Sequence, residues 1–370
     1  QESVRFQQDV DQDIFEVKML RDVKVSPDGK KAVFEAMGHL YTRALPNGKP
    51  KRLTKQKTHH ELNPSFSRDG KKIVYATWND KTLGQVRVIS SRGGKGKSLL
   101  QDPGKYIEPS FSPDGKTVVY RKIEGGYITD PKWGLNPGIY SVSVKGGEST
   151  LITESGLRPH FGSNNDRIYV TRDGDETPHL ARIDLDGQHD KKLYQGKFAT
   201  EYSVSPDGKY LAFAERFNVF VTPFVERGNV IDIGPKAKNL PVKKLSVRAG
   251  EGINWNGASD EIYWSLGADL FQAPIHNLFD ITEVAKADAA KESDKKDKAE
   301  TPAPKVTYLG YTKKADKPSG IIAFVGGKVI TMEGEQVINN GVVLVEGNII
   351  KAVGSKADIK IPTTAKVIDI

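Results

Sequence analysis

The sequence predicts an all-β protein: a six-bladed β-propeller of four-stranded blades, followed by a partial small β-sandwich. Three observations carry this expectation. A turn sequence, Ser-Pro-Asp-Gly-Lys or a near variant, starts at Ser26, Ser67, Ser112 and Ser205, with two worn copies in the same register at Gly162 and Asn256. Successive copies begin 41 to 51 residues apart, the length of four short strands with their turns rather than of a helical repeat of about 34 residues. Past Lys317-Pro318-Ser319-Gly320 the repeat gives way to short Val/Ile-rich segments joined by glycines.

The repeated turn is a hairpin device. Proline presets φ for the first central position, aspartate accepts hydrogen bonds from the turn backbone, and glycine takes the left-handed position that follows. Two strands must flank each copy. Residues 1–20 read as an N-terminal strand or linker, with Val4 to Val10 alternating. Residues 21–312 hold the blades. The first has Lys31 to Ala36, His39 to Ala44, a turn at Pro46-Asn47-Gly48 and Pro50 to Thr54. In the second, Gln85 to Ser90 leads through Arg92-Gly93-Gly94-Lys95-Gly96 to Lys97 through Leu100. The third has Glu108 to Phe111, Thr117 to Arg121, Gly138 to Val144 and Glu148 to Ile152. Blade four runs from Arg158 through Asp184-Leu185-Asp186-Gly187 to Tyr194. Blade five starts at Glu201, its long outer half reaching Val242 to Val247. Blade six has Gly252 to Trp255, Glu261 to Leu266 and Asp269 to Pro274. Its fourth strand, Lys305 to Tyr311, is expected to return after a low-complexity, solvated insertion at residues 283–304, which is nearly all Ala, Lys, Asp and Glu. Residues 313–370 begin the sandwich, with strands at Ile321 to Val325, Lys328 to Met332, Gly341 to Glu346, Asn348 to Val353 and Ala365 to Ile370.

Composition narrows the function. Of 370 residues, 37% are hydrophobic and 28% charged, with 36 Gly and 20 Pro, which suits many short strands and turns. The formal charge of +8 is spread through the turns and gathers in no aromatic-basic stripe, so nucleic-acid binding is not expected. The chain has no cysteine, which excludes disulfides and thiolate metal sites. No apolar run approaches the roughly 20 residues of a membrane-spanning helix, and no membrane insertion is expected. The polar opening is no signal peptide and does not begin with methionine, so the true start is expected upstream or removed.

Several stretches suggest chemistry. Gly93-Gly94-Lys95-Gly96-Lys97-Ser98 resembles a phosphate loop, but the required upstream glycine is Ser91 and the stretch lies between strands, so it reads as a hairpin turn. His59-His60-Glu61 has metal-ligand chemistry, yet adjacent histidines on extended backbone point to opposite sides; they read as exposed loop histidines before blade two. No Gly-x-Ser-x-Gly elbow exists for a serine peptidase. The informative pattern is a polar column on the innermost strands: Asp22, Asn63, Glu108, Arg158 and Glu201, with Gly252 in the sixth blade. Two residues on follow Lys24, Ser65, Ser110, His160, Ser203 and Asn254. Innermost strands line the axis of a propeller, so Asp22, Asn63, Glu108, Arg158, His160 and Glu201 are expected to line the central channel. They are either simply solvated or form a mixed-charge rim that admits a peptide or small polar molecule.

The Ser-Pro-Asp-Gly-Lys repeat, with Pro-Ser-Phe before it and an aliphatic-aromatic strand after it, resembles the TolB-like and tricorn-like propeller repeats from about Asp22 to Thr312. That likeness is specific for fold and poor for function. The tail resembles something else. Ile321 to Met332, Asn340 to Gly354, Ile361-Pro362 and Val367-Ile368-Asp369 look like the opening sandwich of the amidohydrolase superfamily. The two resemblances together imply a propeller-fused amidohydrolase, an exported bacterial protein of the periplasm or exterior. The superfamily uses one or two divalent metals, usually zinc, to make a hydroxide that attacks amide-type carbons in cyclic amides, imides or dipeptides. Its metal-binding His-x-His pair would lie past Ile370, so this chain is expected to hold no cofactor and no catalytic residue, and the metal and the small amide or peptide substrate belong to the missing barrel. The alternative is a TolB-like module that binds a peptide or protein at its channel mouth and does no chemistry.

Overall fold

The computed structural model describes residues 12–124, 134–173, 177–275, 278–279 and 303–370. All regular structure among them is strand. Contacts divide the chain into two units, one of Val17–Tyr311 and one of Thr312–Ile370 with the segment up to Glu16.

The first unit holds six sheets. The first is Arg21–Val25, Lys31–Ala36, His39–Ala44 and Lys51–Arg52; the second His60–Phe66, Lys72–Trp78, Gln85–Ser90 and Lys97–Ser98; the third Tyr106–Phe111, Thr117–Lys122, Gly138–Ser143 and Thr150–Thr153. The fourth is Leu157–His160, Arg167–Arg172, His179–Asp184 and Lys191–Gln195. Ala199–Val204, Tyr210–Glu215, Asn218–Pro223 and Lys243–Lys244 make the fifth, and Glu251–Trp255, Glu261–Leu266, Asp269–Pro274 and Lys305–Tyr308 the sixth. Innermost strands of successive sheets pack against one another, and the sixth packs against the first. Among the described residues four hydrogen bonds tie that last junction: Gly257 N–H to Pro27 O at 2.8 Å, Val25 N–H to Asn254 Oδ1 at 2.9 Å, and, both at 3.4 Å, Lys24 Nζ to Ile253 O and Asn254 Nδ2 to Val23 O. The ring is closed, and each sheet keeps only a short inner and a short outer edge.

The turn chemistry that the sequence implies is present. In the first copy Ser26 Oγ donates to Asp28 Oδ1 at 2.6 Å and accepts from Lys31 N–H, Asp28 accepts from Lys30 N–H, and Gly29 sits at φ 70°. Ser67–Asp69, Ser112–Asp114 and Ser205–Asp207 repeat the 2.6–2.7 Å contact. The serine hydroxyl, then the backbone N–H, holds Asp28, Asp69 and Asp114 below the usual carboxylate range. The worn copies also reach neighbouring turns: Asn165 Oδ1 accepts from Asp114 N–H at 2.9 Å, and Ser259 Oγ from Asp207 N–H at 3.0 Å, while Asn256 takes the serine's place in its own turn by accepting from Glu261 N–H at 3.2 Å.

The cores lie between sheets. Val33, Leu40 and Leu53 meet Ile73, Tyr75 and Ile89 between the first and second. Val119 and Ile139 meet Phe161, Ile168 and Ile183 between the third and fourth. Each pair of neighbours thus buries the apolar residues that alternate with outward polar ones.

Several expectations shift. The long outer half of blade five does not stay in its own sheet: Ile231–Asp232 pairs in parallel with Lys191–Gln195 of the fourth, leaving Lys243–Lys244 as the fifth sheet's outer strand. The third sheet's outer strand starts at Thr150 rather than Glu148. The alternating Val4 to Val10 lies outside the described residues, as does nearly all of the 283–304 insertion. Lys305–Tyr308 does pair with Asp269–Gln272 as the sixth sheet's outer strand.

The second unit contains a four-stranded sheet in the order Ile349–Ser355, Gly341–Glu346, Ile321–Val325, Lys366–Asp369, with the last pair parallel, and a ribbon of Val329–Ile330 with Val337–Ile338. Its apolar surface is partly covered. Among the described residues Ala323, Gly341 and Val342 are buried and Ile321, Ile322, Phe324, Val325, Val343, Leu344 and Val345 half-buried, while Ile330, Met332, Ile349, Ile350, Val367 and Ile370 are each more than half exposed.

Candidate functional site

Along five of the six innermost strands a bulge with a left-handed residue breaks the pairing with the second strand; on the fifth, Ala199–Val204, the slip falls between Ala199 and Glu201 and holds none. In the five the register slips between Arg21 and Lys24, Leu62 and Ser65, Ile107 and Ser110, Leu157 and His160, and Glu251 and Asn254. In each of these one residue is left-handed: Asp22 (φ 50°), Asn63 (48°), Glu108 (55°), Arg158 (51°) and Gly252 (69°). Only glycine reaches that region freely. The other four are held there by what their side chains and N–H groups do.

They form a relay around the ring. Asp22 Oδ2 accepts from Asn63 Nδ2 at 2.8 Å and from Asn63 N–H at 3.2 Å. Asn63 Oδ1 accepts from Glu108 N–H at 3.3 Å, and Glu108 Oε2 from Arg158 N–H at 2.7 Å. Arg158 Nη1 donates to Thr200 O at 2.8 Å, and Glu201 Oε2 accepts from Gly252 N–H at 3.2 Å. One layer nearer the repeated turns, His160 Nε2 accepts from Val204 N–H at 3.0 Å. Each polar side chain of the column thus clamps one blade to the next.

All six sequence-derived positions, Asp22, Asn63, Glu108, Arg158, His160 and Glu201, line one cavity of about 600 Å³ along the axis. Glu108 also faces Arg121 at 3.3 Å. His160 donates from Nδ1 to Arg158 O at 2.9 Å when Nε2 accepts from Val204, which fixes its neutral tautomer. Burial first, and then the positive charges of Lys24 and Arg68, push its imidazole down to about 4.

That shift gives a pH prediction. An unfolded imidazole binds its proton near 6.5, before the folded one does, so stability is full above that value and is lost as pH falls toward about 4. The turn aspartates act in a lower window, below 3.8. His59, which burial also pushes down, shares the window of His160. The readout is therefore a difference. Melting temperatures from pH 7 to 4.5 are expected to fall several degrees more for the parent than for His160→Gln, and parallel curves would refute the assignment.

Sequence reasoning missed Arg68. Its guanidinium, from the second sheet's turn, donates to Gly162 O at 2.7 Å, Pro206 O at 3.1 Å and Phe161 O at 3.4 Å, so it reaches across the axis to the fourth and fifth blades. Burial holds it below the ordinary guanidinium range. The signal was present: arginine stands where the first, third and fifth turns carry proline.

The histidine reading is corrected in part. His60 opens a strand rather than preceding it in a loop, and His59 is half-buried. Glu61 is fully buried; it accepts from Leu40 N–H at 2.9 Å, Gln56 Nε2 at 2.7 Å and Thr54 Oγ1. Gly93 N–H closes a turn on Ser90 O between strands, the hairpin that the phosphate-loop stretch was read as.

The family model of the TolB beta propeller domain matches residues 24–220. A structure assigned as TolB from Agrobacterium tumefaciens is 18% identical with a TM-score of 0.54, over 71% of this chain and 97% of that one. TolB from Acinetobacter baumannii is 20% identical with a TM-score of 0.50, over 70% of this chain and 60% of that one. Both are likenesses of fold. No curated protein sequence matches the chain.

Proposed function

This chain belongs to the TolB beta propeller domain family, and on that premise we propose that it is the propeller-bearing, non-catalytic part of a metal-dependent hydrolase of C–N bonds. The propeller gates or recruits the amide, imide or peptide substrate. The supporting observation is the second unit's sheet. Its Val/Ile strands combine antiparallel and parallel pairing, and Ile349, Ile350, Val353 and Val367 on its outer strands are exposed while most of the remaining apolar side chains are only half-buried. Exposed apolar surface of this kind asks for a further layer, which a catalytic domain would supply and a purely binding propeller has no use for. The divalent metal that this reading implies has no ligand set among the described residues. Export to the periplasm or exterior is part of the same proposal.

The test is the reading frame beyond Ile370 together with the protein it encodes. A His-x-His pair soon after Ile370, and zinc-dependent release of amine or ring opening from a panel of dipeptides, hydantoins and dihydropyrimidines, are expected. A stop codon at that point, or no hydrolysis across the panel with zinc, manganese or cobalt, overturns the reading. The second reading, a propeller that only binds, is favoured by the polar groups that line the channel and would be left standing by that result.

A further inference from the structure

The two halves of the channel differ in charge. Toward the end opposite the repeated turns, Asp22, Glu108 and Glu201 outnumber Arg158 in the column. Toward the turns, the next layer holds Lys24, Ser65, Ser110, His160, Ser203 and Asn254, with Arg68 beyond it. That layer carries no carboxylate.

Among the described residues its cations meet one nearby carboxylate charge, that of Asp207, which acts on Arg68 without forming an ion pair. Lys24 Nζ has three donors and makes one hydrogen bond, to Ile253 O at 3.4 Å. Arg68 donates to carbonyl oxygens alone. Neither forms an ion pair among the described residues; the carboxylates of the outer layer are committed to Asn63, Arg158 and Gly252. The hydroxyls of Ser65, Ser110 and Ser203 line the same cavity and have no hydrogen-bond partner among the described residues. A fully satisfied neutral lining would bind water as readily as a solute. Two unpaired cations beside three free hydroxyls favour an oxyanion.

We propose that the turn-end half of the channel binds the carboxylate of a short zwitterion, a di- or tripeptide, whose ammonium end points toward Asp22, Glu108 and Glu201. Lys24 and Arg68 hold the charge, and the serine hydroxyls donate to the carboxylate oxygens. Length supports the choice. Asn63 and Arg68 stand five positions apart on the inner strand and its turn, an upper bound of about 16 Å at ~3.3 Å per residue, and three extended peptide residues span about 10 Å. A cavity of about 600 Å³ is in the range of small-ligand sites. The inference deepens the recruiting role proposed above and rests on it, but not on the hydrolase: binding is measured directly, without turnover.

The test is calorimetric titration of the 370-residue chain with Lys-Gly-Gly as free acid, the same tripeptide as its C-terminal amide, citrate and inorganic phosphate. The free acid is expected to bind at least tenfold more tightly than the amide and than either simple anion. Lys24→Met, and separately Ser110→Ala, should weaken the free acid and leave the amide's weak binding unchanged, with the melting temperature of each variant near the parent's. Because Arg68 also ties the blades together, its replacement is not needed for the decision. Equal binding of acid and amide, or an undiminished affinity in Lys24→Met, overturns the site; tighter binding of citrate or phosphate than of the peptide overturns the zwitterion. Failure of hydrolysis with intact tripeptide binding would sink the enzyme reading alone.

Discussion

Glu61→Ala is expected to lower the free energy of unfolding by about 4 kcal/mol, because it strips two buried donors and a half-buried amide of one shared acceptor. Glu61 has no exposed surface and sits at the seam of the first and second sheets. Its carboxylate takes the N–H of Leu40, the hydroxyl of Thr54 and the amide of Gln56, all from the segment before its own strand. Truncation leaves Leu40 N–H and Thr54 Oγ1 without their buried acceptor. Glu61→Gln keeps the volume and one oxygen, and should lose roughly half as much. Urea midpoints at unchanged slope provide the measurement. A shift of less than about 1 kcal/mol for the alanine variant would mean that the three donors find water or other partners, and that the seam is held by the apolar cluster of Val33, Leu40, Ile73 and Tyr75 alone.

Glu61 also marks where a one-dimensional reading stops. A charged residue beside two histidines suggests a polar loop; its burial depends on Leu40, 21 positions earlier. The blades were legible for the opposite reason. Serine, aspartate and glycine within four residues build a turn from their own hydrogen bonds, so the code is local and survives repetition. Pairing between distant strands has no such code, which is why Ile231–Asp232 could leave its own blade for the fourth sheet unannounced.

The channel shows the same division. Counting back from each turn finds Asp22, Asn63, Glu108, Arg158 and Glu201 because each stands four residues before its turn. Nothing in that count shows that four of the five sit at left-handed backbone, or that each spends its side chain on the next blade. Those are properties of the closed ring. Arg68 is the intermediate case: its replacement of proline is visible in the repeat, but the carbonyls it reaches lie 93 to 138 positions away.

The sixth sheet supplies the other large effect, and it tests packing rather than polar satisfaction. Trp264 is 1% exposed, stacks on Phe271 at 5.7 Å with 4° between the rings, and packs with Ile253, Leu245 and Val219 from the fifth and sixth sheets. Trp264→Ala should cost about 3–5 kcal/mol. Gly250 lies against the same ring: a Cβ there would stand 2.1 Å from Trp264 Cδ1. Gly250→Ala should therefore cost about 1–3 kcal/mol in the parent by overpacking, and close to nothing once the indole is gone. Four denaturation midpoints complete the cycle, with an expected coupling above about 1 kcal/mol. If the double variant loses the sum of the two single losses, glycine is required at 250 by its backbone, whose N–H donates to Phe217 O at 2.8 Å, and not by the ring. A coupling of the expected size would instead show that the absent side chain at 250 is what lets the tryptophan fill the interface between the last two blades, which is the interface on which ring closure to the first depends.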